Sequence, residues 1–357
     1  MENIFIALNR LLEQNKKMVL ARIIRQVGSA PRSVGAKCLI LEDHTIIGTI
    51  GGGLLEHQAV QKAAEVMEQG RSLILQYQLK GEEIARSEML CGGEVDVFLE
   101  PIFPEDYEAK EIFNRIAALC EQGLKGTLAT RILSGLSHDD PGMRALLEAN
   151  GTVIGPVDAL FGLDQKKYGS IKKSILLQKS SDAPLIFQEP VEPDAVVYIF
   201  GGGHISTFVV PLAKMAGFRV VVIDDRREFA NKERFPGADE IMLIPFLEVF
   251  HHLEIGATSY IVIVTRGHTY DRDVLRMALQ TKPAYIGMIG SKRKRDLIYQ
   301  ALRSEGVEQE KIDRVHSPIG LAIGAETPEE IAISIVAELI RERSRSQGGS
   351  RDGFQTV

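Results

Sequence analysis

Residues 196–225 read VVYIFGGGHISTFVVPLAKMAGFRVVVIDD, and the fold turns on how this stretch is read. It opens with an apolar run, 196–200, rich in strand-forming types. Three glycines follow at once, Gly201, Gly202 and Gly203. Ile205, Phe208, Val209, Leu212 and Met215 then recur at three- and four-residue steps, as on one face of a helix. Gly217 stands where a helix C-terminal glycine belongs. A second apolar run, 219–223, leads to Asp224 and Asp225. The spacing predicts strand, glycine turn, helix and strand, with an acid about 20 residues past the glycines.

That layout suits a nucleotide-like ligand. Glycine permits a tight turn and lets a phosphate approach the backbone, and the following helix points free N–H groups at it. An acid closing the second strand can accept from ribose hydroxyls. Ser206 takes the place of a third spaced glycine; it is small but carries a side chain. The competing reading is a turn that packs helix on sheet and holds no ligand. His204, at the helix start, either touches a ligand phosphate or faces solvent.

Downstream, strands and helices alternate. Strands are expected at 240–243, 260–264 and 284–289, and helices at 227–235, 246–253 and 271–279. This alternation predicts an α/β domain with a Rossmann-like, doubly wound parallel sheet over 194–343. Ligands of such sheets bind beyond the carboxyl ends of the strands. Arg266 and His268 follow one strand and Ser291 another, so they are expected to converge on Gly201, Gly202 and Gly203. Arg266 can clamp an anion. His268 can act as acid, base or donor, or simply bond to backbone. The basic run 292–295 is read as a solvated helix face. Thr327, Pro328 and Glu330 spell a capped helix start. Residues 344–357 read as a disordered tail.

The first half, 1–190, reads as an α+β domain with a degenerate internal repeat, halves at about 1–105 and 123–190. MVLARIIRQVG at 18 resembles GTLATRILSG at 126, a step of 108 residues. CLILEDHTIIG matches ALLEANGTVIG, and VDVFLEPIFPED matches APLIFQEPVEPD. A helix spanning 107–122 joins the halves, and 189–194 is read as the linker into the second domain. Only the first copy carries GSAPR, the triplet Gly51, Gly52, Gly53 with Glu56, and MLCGG. Glycines needed for folding alone would recur, so the chemistry of this domain is placed in the first copy. Ser29 and Arg32 can hold an anion, and the triplet before a helix is a second candidate cradle. Tight turns and a solvated arginine are the alternative. Cys91, between Leu90 and Gly92, is either a soft ligand, a thiol relay or a small buried residue. Cys38 and Cys120 are read as core.

The totals set limits. Of 357 residues, 45% are hydrophobic and 25% charged, as in a globular protein of two or three domains. A net charge of −6 argues against non-specific nucleic-acid binding. No run of 18 apolar residues predicts a membrane span. The N-terminus lacks signal-peptide features, and three cysteines suggest neither a disulfide framework nor zinc. A reducing cytoplasm is the expected location.

Several motifs in one order resemble the xanthine dehydrogenase accessory proteins of the XdhC/CoxI family. They are GSAPRSVGAK, GTIGGGLLE, CGGEVDVFLEP, YIFGGGHIS, VVIDDRREFA, RFPGAD, TRGH with Asp271, YIGMIGSKRK and VHSPIGLAIGAETPEEIA. The likeness covers nearly the whole chain. Ala322 departs from it, standing where an acid is expected. The resemblance implies a protein that binds molybdenum cofactor (molybdopterin) as cargo, promotes its sulfurated form and delivers it to a xanthine dehydrogenase-type molybdenum hydroxylase. A cysteine desulfurase as second partner and a homodimer are further expectations. On this view the chain is a cofactor-insertion chaperone rather than the hydroxylase, since it lacks a four-cysteine iron–sulfur pattern. Cys91 would face the sulfur side of the cargo. Two alternatives remain open. One is an NAD(P)-dependent oxidoreductase, with Asp224 on the ribose and Arg226 on a 2′-phosphate. The other is a nucleotide-sensing regulator without chemistry.

Overall fold

A computed structural model describes residues 3–78, 93–132, 143–156, 171–178 and 183–346. The chain divides into two compact units, Glu2–Pro193 and the residues from Asp194 onward.

The first unit holds two antiparallel sheets. One contains β1 (Met18–Val27), β2 (Lys37–Leu41), β3 (Ile46–Gly48), β4 (Leu73–Gln78) and β5 (Glu94–Ile102), in the order β3-β2-β1-β5-β4. The other contains β6 (Gly126–Ile132), β7 (Met143–Glu148), β8 (Val153–Ile154), β9 (Ile175–Leu177) and β10 (Leu185–Val191), in the order β8-β7-β6-β10-β9. The orders are identical strand for strand, so the repeat seen in the sequence is a repeat of topology. Residues 189–191, expected in a linker, instead close β10, because Glu189 is wholly buried among cations.

Those cations mark the seam between the halves. Arg22, fully buried, reaches Glu100 of its own sheet and Glu189 of the other, each at 2.5 Å, and Thr130 at 3.0 Å. Glu189 also pairs with Lys37 at 2.8 Å, and Glu100 with Arg144 at 2.6 Å. The strand registers make this a two-fold pattern. Leu20 pairs with Glu100 as Leu128 pairs with Glu189, and Arg22 with Lys37 as Thr130 with Arg144. Burial works to raise the pKa of Glu189, but Lys37 and Arg22 outweigh it and hold the carboxyl below its ordinary value. A matched carboxylate on each side keeps Arg22 from being an uncompensated buried charge.

Helices α1 (Ile4–Glu13) and α3 (Tyr107–Glu121) pack together over a core drawn from both halves, including Leu8, Met18, Ile112, Leu128 and Val191. Cys120 belongs to this core, while Cys38 lies in a second one beneath α2 (Gly53–Gln69). Burial, and then the charge of Glu56, pushes the Cys38 thiol up to about 12, so it stays protonated and inert.

The second unit is built on six parallel strands ordered β13-β12-β11-β14-β15-β16. They are β11 (Val196–Phe200), β12 (Arg219–Asp224), β13 (Glu240–Leu243), β14 (Ser259–Ile263), β15 (Tyr285–Met288) and β16 (Val315–His316). The chain runs outward from β11 in one direction and then returns to start outward again at β14. Helices α4 (His204–Met215) and α8 (Pro328–Ser346) cover one face, and α5 (His268–Ala278) and α6 (Lys292–Ser304) the other. A short α7 (Gln309–Asp313) precedes β16.

Three expectations change here. The helix expected over 227–235 is a set of isolated turns. Asn231 accepts from the Arg234 amide and donates to the Arg227 carbonyl, offering the backbone partners that compete with a helix. The helix expected over 246–253 shrinks to one 3₁₀ turn, Glu248–His251. The tail expected from 344 still belongs to α8 as far as Ser346. At the other end of α8, Thr327 accepts from the Glu330 amide while Glu330 accepts from the Thr327 amide, the reciprocal capping box the sequence spelled out.

Candidate functional site

Strands β11 and β14 are neighbours, with Phe200 opposite Ile263, yet their helices leave toward opposite faces. The crevice beyond their carboxyl ends is the switch point of the sheet, where such folds bind ligands. Gly201–Gly203 forms one wall and Thr265–His268 the other.

The three glycines of the turn differ in how tightly they are held. Gly201 has φ +114, and a Cβ there would sit 2.4 Å from the Val264 carbonyl oxygen. At Gly202 a Cβ would fall 2.2 Å from the Phe229 carbonyl oxygen. The turn is thus wedged between the loops following β14 and β12. Gly203 differs, because a Cβ there would meet nothing within 4 Å. It is the N-cap of α4 and offers no side-chain cap, so the first turn of that helix opens onto free space. Ser206 is fully buried and donates to the Gly201 carbonyl, which explains why a third glycine is not needed.

Asp224 is also fully buried. It accepts from the Gly202 amide at 2.8 Å and from Arg226 Nε and Nη2 at 2.9 and 3.0 Å. Burial works to raise its pKa, but the Arg226 guanidinium and the Gly202 and Arg226 amides hold it below the ordinary carboxylate value. Both of its oxygens are engaged from within the protein. Asp225 reaches the other way, to Arg266 Nη2 at 2.8 Å, across the carboxyl end of β11. Arg266 donates to the Tyr270 hydroxyl at 3.0 Å and lies over that ring.

Next to Arg266, Thr265 donates from its amide and hydroxyl to Asp271, at 3.2 and 2.6 Å. Asp271 is fully buried and pairs with Lys294. Lys294 therefore departs from the solvated face expected of 292–295, and its aliphatic stem fills the space that a Cβ on Gly290 would need. His204 and His268 each open a helix and are exposed, and Ser291 caps α6 by accepting from the Lys294 amide at 3.3 Å. Sequence reasoning missed Asp271–Lys294 as a pair and gave Arg234, the first residue of RFPGAD, no role of its own. A lysine inside KRKR and an arginine in a turn give no local sign that they face inward.

The first-unit motifs also meet. A Cβ on Gly51 would come 2.8 Å from Pro31 and 3.7 Å from the Arg32 stem, and one on Gly93 would strike the Ser29 carbonyl oxygen at 2.3 Å. Glu56 Oε1 accepts from the Thr49 hydroxyl and from the Ile50 and Gly52 amides, at 2.6, 3.1 and 3.0 Å. The cradle formed by Gly51, Gly52 and Gly53 is therefore filled by the protein's own carboxylate. Arg32 is exposed. Cys91 lies outside the described residues. Among the described residues, no group of three or more His, Cys, Asp or Glu side chains is placed to hold a metal ion. No described helix is long and apolar enough to cross a membrane.

The switch-point crevice with its glycine turn defines a protein of the Rossmann class. The family comparison makes the class specific. Residues 197–339 match the XdhC Rossmann domain, and residues 11–78 match the XdhC and CoxI family model. The chain belongs to the XdhC/CoxI family. It is 27% identical over 347 residues to a Bacillus subtilis protein named as a probable xanthine dehydrogenase subunit, covering 97% of this chain and 99% of that protein. It is 22% identical over 340 residues to the molybdenum cofactor insertion chaperone PaoD of Escherichia coli, covering 95% and 87%. An uncharacterized E. coli protein, YqeB, is 25% identical over 97% of this chain, which spans only 47% of YqeB. Among solved structures, one described as a xanthine dehydrogenase from Bacillus halodurans superposes with a TM-score of 0.78 at 28% identity, covering 98% of both chains.

Proposed function

We propose that this chain binds molybdenum cofactor as cargo and delivers its mature, sulfurated form to a xanthine dehydrogenase-type molybdenum hydroxylase. The observation that carries the reading is the open ledge at Gly203, where the uncapped start of α4 meets empty space at the switch point. The phosphate of the cofactor suits that ledge. The names of PaoD and of the B. subtilis relative point to the same pathway. A sulfur-donating cysteine desulfurase, a homodimeric state and a cytoplasmic location belong to the same proposal. So does contact of Cys91 with the sulfur side of the cargo.

The dinucleotide alternative draws on the strand order, which is that of dinucleotide-binding sheets. It loses two of its expected contacts. Asp224 has no free oxygen for a ribose, and Arg226 is spent on Asp224 rather than open to a 2′-phosphate.

The test is to mix purified protein with molybdenum cofactor and, separately, with NAD(H) and NADP(H). Co-elution of the pterin on desalting, and its transfer to an apo-hydroxylase with gain of activity, are expected. Tight dinucleotide binding with hydride transfer at the nicotinamide absorbance would replace the proposal with the oxidoreductase reading. A Cys91→Ser variant that still supports full activation would remove the thiol role alone.

A further inference from the structure

One amide of the glycine turn is already spent, because Asp224 places a carboxylate against the Gly202 N–H. Arg226, the nearest cation in sequence, is bound to that carboxylate through both Nε and Nη2. A phosphate on the ledge therefore needs a further positive group. Among the described residues, only one guanidinium outside this pair is anchored on the turn itself. Arg234 Nε donates to the Gly202 carbonyl at 2.8 Å. Its guanidinium packs near the rings of Phe229 and Phe235, and Arg226 lies against the same Phe229 ring, so its position is set before any ligand arrives. Among the described residues, neither Nη group of Arg234 makes a hydrogen bond. Arg234 is half-buried, which strengthens its electrostatics without sealing it from a ligand.

We propose that Arg234 is the anion-binding residue of this crevice, presenting its two Nη groups to a phosphate monoester or pyrophosphate seated beside Gly203. The inference rests on the reading of the crevice given above and adds what recognises the phosphate. A planar fork with one edge anchored and the other edge free is suited to two parallel bonds to phosphate oxygens. Asp224 then serves to hold Arg226 and the turn.

Inorganic pyrophosphate is the probe, titrated into the full chain and followed by ³¹P line broadening. Wild type is compared with Arg234→Gln, Arg234→Lys and, as control, Arg272→Gln on α5, where Arg272 pairs with Asp273 and Glu305. Arg234→Gln keeps a side-chain N–H and most of the stem but loses the charge. The expected result is a Kd raised at least tenfold in Arg234→Gln and under fivefold in Arg234→Lys, with Arg272→Gln unchanged. Unchanged binding in Arg234→Gln overturns the proposal and leaves the crevice standing, and so does an equal loss in Arg272→Gln, which would mean diffuse surface charge. Absence of binding in wild type overturns the crevice reading itself. Wild-type protein also gives a readout that needs no variant. Pyrophosphate should slow phenylglyoxal modification of Arg234 at least fivefold but not that of Arg272, and an unprotected Arg234 would overturn the assignment.

Discussion

The protein contains two glycine triplets that look alike in sequence and have been put to different use. Each follows a strand and opens a helix, and in each the amide of the middle glycine is bound by an internal carboxylate. At Gly51–Gly53 that carboxylate is Glu56, from the first turn of the same helix, so a local contact fills the cradle. All three of those glycines have positive φ, at 129°, 74° and 55°. At Gly201–Gly203 the carboxylate is Asp224, brought from the end of the neighbouring strand. It takes the Gly202 amide, whereas Glu56 takes the Ile50 and Gly52 amides and the Thr49 hydroxyl together. A triplet plugged by its own helix is a closed structural turn. A triplet braced by a carboxylate from another strand is the one to which the proposal assigns a ligand.

This contrast can be broken at several points. The largest effects are expected at Gly201 and Gly202, where alanine would place a Cβ within 2.4 and 2.2 Å of backbone oxygen. Each substitution should cost about 4 kcal/mol or more in the denaturant transition of the second unit. Gly52→Ala meets no atom within 4 Å and carries only the strain of its backbone, φ +74° with ψ −171°, so about 1–3 kcal/mol is expected. If Gly52→Ala were the more damaging, the two turns would have to exchange roles.

Next come the carboxylates. Asp224→Ala leaves Arg226 and the Gly202 amide without their partner and should cost about 3 kcal/mol. Glu56→Ala, at a partly exposed site, should cost about 1–2 kcal/mol. Urea unfolding measures both.

Acid should expose a related difference. Glu338, buried on α8, accepts from the Tyr285 hydroxyl, the Gly320 amide and Arg341, and contacts His316. Burial works to raise its pKa, but His316, Tyr285 and Gly320 bring it down to about 2 from 4.5. A carboxyl lowered on folding stabilises the protein above its unfolded pKa, and that stabilisation drains as pH falls from about 4.5 toward about 2. Asp224 and Glu56 are lowered in the same direction. Glu338→Gln should therefore flatten the acid limb of a melting-temperature profile measured from about pH 6 to about pH 2.5. An unchanged limb would mean that other carboxyls govern acid unfolding.

The smallest effect on stability is expected at Gly203. Its φ of −71° suits any residue and its surroundings are empty, so Gly203→Ala should change stability by only about 0.5 kcal/mol. The same methyl would stand on the proposed phosphate ledge and should weaken pyrophosphate binding severalfold. Wild-type binding in this variant would move the ligand elsewhere in the crevice.

Much of this was readable from the chain alone. The period of two and the period of about 3.6 are properties of local backbone geometry, so they marked β11, α4, β12 and the alternation beyond. The repeat was legible because its copies share their apolar pattern, and the two sheets share their strand order. The helix expected at 227–235 failed because a single side chain, Asn231, bound the backbone locally.

Sequence by itself determined the class of fold, the position of the glycine turns and the family, since these depend on residue types at short fixed spacing. Tertiary structure decided which groups are free to act. Whether Asp224 faces a ligand or the Gly202 amide, whether Lys294 faces solvent or Asp271, and which arginine keeps unpaired donors all depend on strands brought together from distant parts of the chain. Charges and hydrogen bonds act over a few ångströms of space rather than a few residues of chain, so they cannot be assigned until the sheet has set those distances.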